Sequence, residues 1–397
     1  MRVLLSTYGS RGDVEPLVAF AVRLRGLGAE VRVCAPPDDD FVGRLASIDV
    51  PLIAVGPSAK ALTKAAPPPS SLPERAAQLI TAQFAVMPEA AEGCDVVVAT
   101  GLMPTVAGAL SVAELAGIRS VYVAFQKVTL PSPHHAPLAY PGRPHPPGVT
   151  DNRALWDLDR ESMNVLFGPG LNASRVAHGL PEVDDVRQYV TGKQPWLATD
   201  PVLDPWEPID LDVVQTGAWT VPDERPLPDE LAEFLAAGEP PVYVGFGSMP
   251  MHAAADVAEV AVAAVRAHGR RLVLKRGWAG LTVAGDDVFV VDEVNHQALF
   301  PRAAAVVHHG GAGTTTTATR AGVPQVVVPQ ATDQPYWASR VAELGIGVAH
   351  DGPAPTTESL TAALGTALAA KARAAEVATT VRTDGTAVAA KLLLEPA

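Results

Sequence analysis

Residues 306–334 read VVHHGGAGTTTTATRAGVPQVVVPQATDQ, an order that few arrangements other than a βαβ unit accommodate. A short apolar run ends in His308-His309, the turn Gly310-Gly311-Ala312-Gly313 follows, and four threonines lead into a helix-compatible segment. Gly322 and Pro324 stop that segment, and residues 326–328 begin a second strand. Strand, glycine turn, helix and strand together aim backbone N–H groups at an anion. The first helical turn has unpaired donors and a partial positive charge. Glycines let the backbone come close, and threonine hydroxyls add donors. The second strand delivers Asp333-Gln334 just past its carboxyl end, where open α/β sheets bind ligands. A ligand with a phosphate end and a polyol end fits this pattern. We expect a sugar nucleotide, its diphosphate on His309, Gly311, Gly313 and Thr314 and its sugar hydroxyls on Asp333 and Gln334. For the glycine turn alone, an ordinary βαβ connection with a packed or capping histidine explains the residues equally well. The acid–amide pair beyond the strand tips the balance.

The stretch HHGGAGTTTTATRAGVPQVVVPQATDQPYW, with VNHQALF before it and VAELGIGVAHDGP after it, resembles the donor signature of inverting GT-B glycosyltransferases that use nucleoside-diphosphate sugars. Its nearest likeness is to the glycopeptide-antibiotic glycosyltransferases, and within them to the glucosyltransferases. GSRGDVEPLVAFAVRL near the N-terminus and GVTDNRALW, KQPWLATDPVL and VVQTGAW further on resemble stretches of the same enzymes, so the likeness spans most of the chain. It implies an α/β protein of GT-B fold, two Rossmann-like, doubly wound parallel-sheet domains facing a cleft. It also implies transfer of a sugar, glucose foremost, from a UDP- or TDP-sugar to a hydroxyl of a vancomycin- or teicoplanin-type aglycone. By the same resemblance Asp13 is the general base with Ser10 beside it, and the backbone at Val294 reads the nucleobase.

A chain of 397 residues, 48% hydrophobic, has room for two ordinary domains. Its formal net charge of −13 argues against nucleic acid and against an anionic membrane surface as partners. An acidic protein that binds a diphosphate needs local donors, which the glycine turn supplies. The only cysteines, Cys34 and Cys94, are too few for a disulfide framework or a cysteine-rich metal site. The N-terminus enters a strand directly, without the basic and apolar segments of a signal peptide. No apolar run reaches membrane-spanning length. We expect a cytoplasmic monomer without stable membrane insertion.

Taken in order, residues 3–6 read as a buried strand and residues 14–27 as a helix, its apolar Leu17, Phe20, Ala21 and Leu24 at helical spacing. Between them, Gly9 and Gly12 turn the chain, Gly12 falls where an acceptor would approach, and Ser10 and Asp13 stand at the helix mouth. Plain N-capping is the alternative job for either side chain. A dinucleotide site is excluded, because GSRGDVEP lacks the G-x-G-x-x-G spacing and Asp13 would oppose a pyrophosphate. Strands follow over residues 30–35, 52–55, 95–99 and 120–125, helices over 74–84, 104–115 and 156–166, and residues 60–71 read as loose. The proline-rich stretch 126–149 is the longest irregular one. Its Leu130, Leu138, Tyr140 and His134 suit a lip that holds a hydrophobic aglycone, or else a solvated surface loop. We place the acceptor domain at 1–200, a proline- and acid-rich linker at 201–212, the donor domain at 213–380, and a last helix within 381–397. In the resembled fold such a helix crosses back to the first domain.

The donor domain repeats the rhythm, with helices over 229–237 and 254–267 and strands over 241–246, 271–275 and 288–291. The strand ends present Gly247-Ser248, Arg276, Val294, His309 and Asp333 on one rim. Ser248 can donate to phosphate and Arg276 can offset its charge, or stand solvated at the rim. A sugar nucleotide already carries a good leaving group. Removing the acceptor proton and stabilising the departing diphosphate therefore suffice, with no cofactor and no metal, and no D-x-D motif sits at a site suited to one. Attack opposite the leaving group inverts the anomeric centre. Alternatives are a sugar-nucleotide epimerase of the same fold, a transferase acting on a polyketide or sterol-like acceptor, and an inactive binding paralogue.

Overall fold

A computed structural model describes residues 1–65, 67–249, 251 and 256–395. The chain divides into two compact units. Unit 1 comprises Met1–Pro201, Pro205–Val221 and Thr383–Ala397, and unit 2 comprises Val202–Asp204 and Pro222–Arg382.

Unit 1 is built on seven strands, β1 (Arg2–Tyr8), β2 (Glu30–Ala35), β3 (Leu52–Ala54), β4 (Val96–Gly101), β5 (Arg119–Ala124), β6 (Trp196–Leu197) and β7 (Val214–Gln215). They pair in parallel in the order β3-β2-β1-β4-β5-β6-β7. Alternation along each strand feeds two cores. Leu4, Val97 and Ala99 face one, and Val3, Leu5, Val96 and Val98 face the other, as expected of a sheet covered on both sides. Residues 213–221, expected in the donor domain, belong to unit 1. β7 extends the first sheet beside β6, and Trp219 stacks on Phe20 at 4.2 Å. The helix Gly385–Leu394 also belongs here, with Ala389, Ala390 and Leu393 in the same core as Phe20.

Unit 2 carries β8 (Val242–Gly245), β9 (Leu272–Lys275), β10 (Val288–Val291), β11 (Ala305–His308), β12 (Gln325–Val327) and β13 (Gly347–Ala349). All pair in parallel, in the order β10-β9-β8-β11-β12-β13. The helix expected over 254–267 is seen as Val257–Ala267, and its expected first residues, Ala254 and Ala255, lie outside the described residues.

In both sheets the order of the strands along the chain reverses once, between β1 and β4 and between β8 and β11. At such a switch point the connections leave on opposite faces and open a crevice beyond the carboxyl ends of the two strands. Fold physics thus marks two places to look, the loops after β1 and β4 and the loops after β8 and β11.

Several elements depart from the sequence expectation. Residues 60–71 contain the helix Ala59–Ala65 and a short 3-10 turn, Pro69–Ser71. Buried Asp38 starts that helix from a distance, its carboxylate accepting from Ala59 N at 2.8 Å, Lys60 N at 3.0 Å and Ser58 Oγ at 2.7 Å. The helix expected over 156–166 runs from Asn152 to Ala177, through Pro169. Helix Val186–Thr191 and strands β6 and β7 were not expected at all.

Candidate functional site

At the first switch point, the helix after β1 spans Arg11–Gly26 and Ser10 is its N-cap. The helix begins earlier than the sequence suggests, so Gly12 and Asp13 lie in its first turn. Asp13 reaches back so that its Oδ2 accepts from Ser10 N at 2.7 Å and lies 3.4 Å from Ser10 Oγ, which itself accepts from Gly12 N at 3.2 Å. This is a capping box with Asp in place of the usual Glu. Gly9 makes room for it, because a Cβ there would stand 2.1 Å from Asp13 Oδ2. Ser10 and Asp13 are half-buried and Gly12 is exposed. Capping and chemistry are compatible here, since a carboxylate has more acceptor positions than one N–H consumes.

At the second switch point, β11 ends in two histidines with opposite fates. His308 points inward and is fully buried. Gly310 N–H donates to its Nδ1 at 3.1 Å, which leaves the proton on Nε2 to donate to Gln325 Oε1 at 2.9 Å. Gln325 Nε2 then donates to Thr319 Oγ1, whose hydroxyl donates to Thr315 O. Burial drives the His308 pKa down to about 4, so this relay is neutral and structural.

His309, one residue on, turns the other way. Its ring lies against two glycines, for a Cβ at Gly247 would come within 3.0 Å of Cε1 and one at Gly311 within 2.6 Å of Nε2. Burial, His308 and Lys275 hold its pKa down to about 3. The imidazole is therefore neutral. Its Nδ1 is buried and has no hydrogen-bond partner among the described residues, which is costly unless a ligand or water completes it. Beside it starts the helix Ala312–Arg320, with N-cap Gly311 and no side chain capping it. Thr315 and Thr317 turn their hydroxyls to the carbonyls of Gly311 and Gly313. Thr314 stands half-buried in the first turn, beside exposed Gly313.

The other expected rim residues lie in the segments that follow β8, β9, β10 and β12. Ser248 is half-buried in the turn after β8, where Met249 N–H donates to Phe246 O at 3.0 Å. Arg276 follows β9, but its Nε pairs with exposed Asp292 at 2.8 Å. Lys275, the residue before it, is the buried cation, with Nζ 3.3 Å from Glu293 Oε1. Val294 is buried beyond β10, and Asn295 caps the next short helix through Ala298 N. Asp333 is the N-cap residue of the helix Gln334–Glu343 and accepts from Trp337 Nε1 at 2.7 Å and Thr332 Oγ1 at 3.0 Å. Burial pushes its carboxyl above the usual range, and those two hydrogen bonds pull it back. Gln334 is buried, its carboxamide turned onto its own loop.

The expected acceptor lip is corrected in one place. Leu130 is wholly buried in the first core cluster and meets no ligand from there, because an apolar residue inside a proline-rich loop found its burial beneath that loop. His134 is exposed, with Nδ1 3.2 Å from Glu207 Oε2. Tyr140 is half-buried beside Arg187, its phenol pushed above its ordinary range by burial. His135 organises the loop, with Nε2 2.9 Å from Lys127 O and 3.0 Å from Leu130 O, and Trp156 Nε1 donates to its carbonyl. Sequence reasoning counted His135 among the loop's histidines without foreseeing that it organises the loop, and it missed buried Lys275 and the inward role of His308. Strand alternation was the available signal for the last, since neighbours at a strand end face opposite ways.

Among the described residues no group of three or more His, Cys, Asp or Glu is placed to hold a metal ion. No described helix is long and apolar enough to cross a membrane.

Comparison with known proteins now decides the family. The chain is 55% identical over 403 residues to glycosyltransferase GtfC of Amycolatopsis orientalis, covering 100% of this chain and 97% of that one. It belongs to this glycosyltransferase family. The enzyme is likewise 54% identical over 401 residues to the vancomycin aglycone glucosyltransferase of the same organism, with 100% and 97% covered. It is 51% identical over 384 residues to the dTDP-epi-vancosaminyltransferase, with 94% and 91% covered. Residues 251–390 match the family described as erythromycin biosynthesis protein CIII-like, C-terminal domain. Among solved structures, the glycotransferase of kitacinnamycin superposes with a TM-score of 0.73 at 20% identity, covering 99% of this chain and 98% of that one. Glycosyltransferase VinC in complex with dTDP gives 0.66 at 23%, with 99% and 98% covered. These likenesses establish the GT-B fold. The relatives at this level of identity are named as transferases, which disfavours the epimerase alternative.

Proposed function

We propose that this glycosyltransferase moves a sugar, glucose foremost, from a UDP- or TDP-sugar to a hydroxyl of a vancomycin- or teicoplanin-type glycopeptide aglycone, with inversion. The observation that carries this reading is the 54% identity along the whole chain to the vancomycin aglycone glucosyltransferase.

In this reading unit 2 holds the donor. The uncapped first turn at Gly311, Gly313 and Thr314, with Ser248, receives the diphosphate, and His309 Nδ1 gains the partner it lacks. A neutral imidazole carries a proton on one nitrogen, so the Nδ1–H tautomer donates to a phosphate oxygen without adding charge. Oriented N–H donors act on the leaving group as its charge grows, so they favour the transition state over the ground state. The Asp333 carboxylate accepts from sugar hydroxyls, and the backbone at Val294 takes the base. Arg276 is held to Asp292 at the surface through its Nε, an exposed pair that costs little to break if the guanidinium turns to the diphosphate. Unit 1 supplies the proton acceptor. Asp13, braced by Ser10, takes the proton from the acceptor hydroxyl as the new bond forms, help typically worth about 10²–10⁴-fold. A phenol is acidic enough for a carboxylate to serve. Gly12, His134 and Tyr140 offer acceptor contacts.

A second donor, a vancosamine-type sugar on TDP, is favoured by the 51% identity to the dTDP-epi-vancosaminyltransferase. Mass spectrometry of a vancomycin-type aglycone incubated with the enzyme and UDP-glucose, TDP-glucose or TDP-epi-vancosamine separates the readings. A one-hexose increment with a glucose donor supports the first. An increment with TDP-epi-vancosamine alone supports the second. No increment with any donor overturns the aglycone assignment.

A further inference from the structure

The acceptor lip, residues 126–149, follows β5, and its regular structure is one 3-10 turn, Lys127–Thr129, and one bridge between Tyr140 and Arg143. With so few backbone bonds of its own, its shape has to come from side chains that reach it from other elements. Trp156 Nε1 donates to His135 O at 2.9 Å and Asn152 Nδ2 to Pro133 O at 2.9 Å, both from the start of the helix Asn152–Ala177. Arg187, on the helix Val186–Thr191, reaches both ends of the stretch between. Its Nη1 donates to Thr129 O at 3.1 Å, and its Nη2 lies 3.4 Å from the Tyr140 hydroxyl.

Arg187 is itself held by an ion pair. Its Nε donates to Asp159 Oδ2 at 2.7 Å, and its guanidinium lies 5.3 Å from the Trp156 ring centroid. The side chains of Arg187 and Asp159 are 7% and 3% exposed. A pair buried this deeply is seldom more stabilising than apolar residues of similar volume, because desolvation consumes the attraction. What it supplies instead is direction. The planar fork points its donors along fixed lines, at a carboxylate, a carbonyl and a phenol.

One acceptor is left over. Asp159 Oδ1 is buried and has no hydrogen-bond partner among the described residues, a costly state for a carboxylate oxygen. The Tyr140 hydroxyl is next to the same pair, taking the Arg187 N–H and keeping its own proton to give. Burial raises the pKa of that phenol, Arg187 opposes the rise and Asp159 adds to it, so both charges are felt at the hydroxyl.

We propose that Arg187 and Asp159 are positioning residues for the acceptor: the buried pair sets the shape of the lip between Thr129 and Tyr140, and Asp159 Oδ1 is the seat that the Tyr140 hydroxyl takes when an aglycone loads the lip. This role rests on the acceptor assignment above, and the pair acts through the lip without touching the aglycone.

Removing one partner alone strands a buried charge and can unfold the protein, so the test replaces both. Arg187→Met with Asp159→Leu keeps an apolar, space-filling pair in the intact enzyme. Amide exchange at Leu130 and Arg143, whose N–H groups bond Lys127 O and Tyr140 O within the lip, is read without ligand. Steady-state kinetics gives KM for a vancomycin-type aglycone, and calorimetry gives the affinity for UDP-glucose and TDP-glucose. We expect exchange at both amides faster by about tenfold, aglycone KM higher by a similar factor, and donor affinity unchanged. Tyr140→Phe should raise the aglycone KM by about threefold in the wild-type background and not in the double variant, the mark of coupled groups. Unchanged exchange in the double variant overturns the pair's hold on the lip, whatever the aglycone does. Faster exchange with an unchanged aglycone KM, or with an equal loss of donor affinity, overturns its role for the acceptor. An equal cost of Tyr140→Phe in both backgrounds overturns the seat at Asp159 Oδ1. No transfer by the wild type to this aglycone overturns the aglycone assignment, and the exchange result then judges the lip.

Discussion

Asp13 Oδ2 accepts the backbone N–H of Ser10 at 2.7 Å, so the proposed base and the residue beside it are locked together before any substrate arrives. The lock depends on Gly9, whose missing side chain leaves the space that Asp13 occupies. Gly9→Ala should therefore displace the carboxylate and lower turnover by at least about tenfold without weakening the sugar nucleotide. Ser10→Ala should lower stability by about 1 kcal/mol through loss of the cap, with a smaller loss of turnover. Steady-state kinetics and thermal unfolding of both variants check this pair of outcomes.

His309→Ala should weaken sugar-nucleotide binding by about tenfold or more, since it deletes the buried nitrogen that a phosphate oxygen would satisfy. With its pKa held down to about 3, the imidazole stays neutral across pH 5–8. Donor affinity in the wild type should accordingly show no histidine-like inflection in that range by calorimetry. An inflection near 6.5 that His309→Ala abolishes would mean the ring binds as a cation.

His308 links pH to stability. Its folded pKa of about 4 lies below the unfolded value of about 6.5, so the unfolded chain binds the proton more tightly. This contribution is fully present above pH 6.5 and is lost as pH falls towards 4. The loss sums to about 3 kcal/mol for a shift of this size. His308→Asn should flatten the acid limb of denaturant-derived stability by about one proton, at the cost of a lower plateau at neutral pH. His309 adds a loss of the same sign that extends lower, towards pH 3.

Asp333→Ala should impair use of the sugar nucleotide while sparing binding of the bare nucleoside diphosphate, because the carboxylate sits on the loop beyond β12, past the glycine turn. Calorimetry with both ligands decides this. Equal losses would make Asp333 a brace for Trp337 rather than a sugar contact.

The two sheets and both glycine turns were legible because strand runs of valine and leucine separated by helical spacing admit few folds. The His-Gly-Gly and Asp-Gln motifs stood at strand ends, where the fold puts them. What was not legible depended on partners distant in sequence. The helix Ala59–Ala65 is started by Asp38, some twenty residues upstream. β7 is a strand only because β6 lies beside it. Leu130 looked available because nothing local says that a proline-rich loop covers its own apolar residue. Arg276 was read as the rim cation and Lys275 was passed over, because only strand geometry turns the first to solvent and buries the second.

The central claim is a division of labour, with proton removal at position 13 and diphosphate binding at the glycine turn of unit 2. Asp13→Asn, assayed for glycosyl transfer and titrated with the sugar nucleotide by calorimetry, tests it most directly. The account predicts turnover lower by about two to four orders of magnitude with donor affinity unchanged. Wild-type turnover in that variant would contradict it.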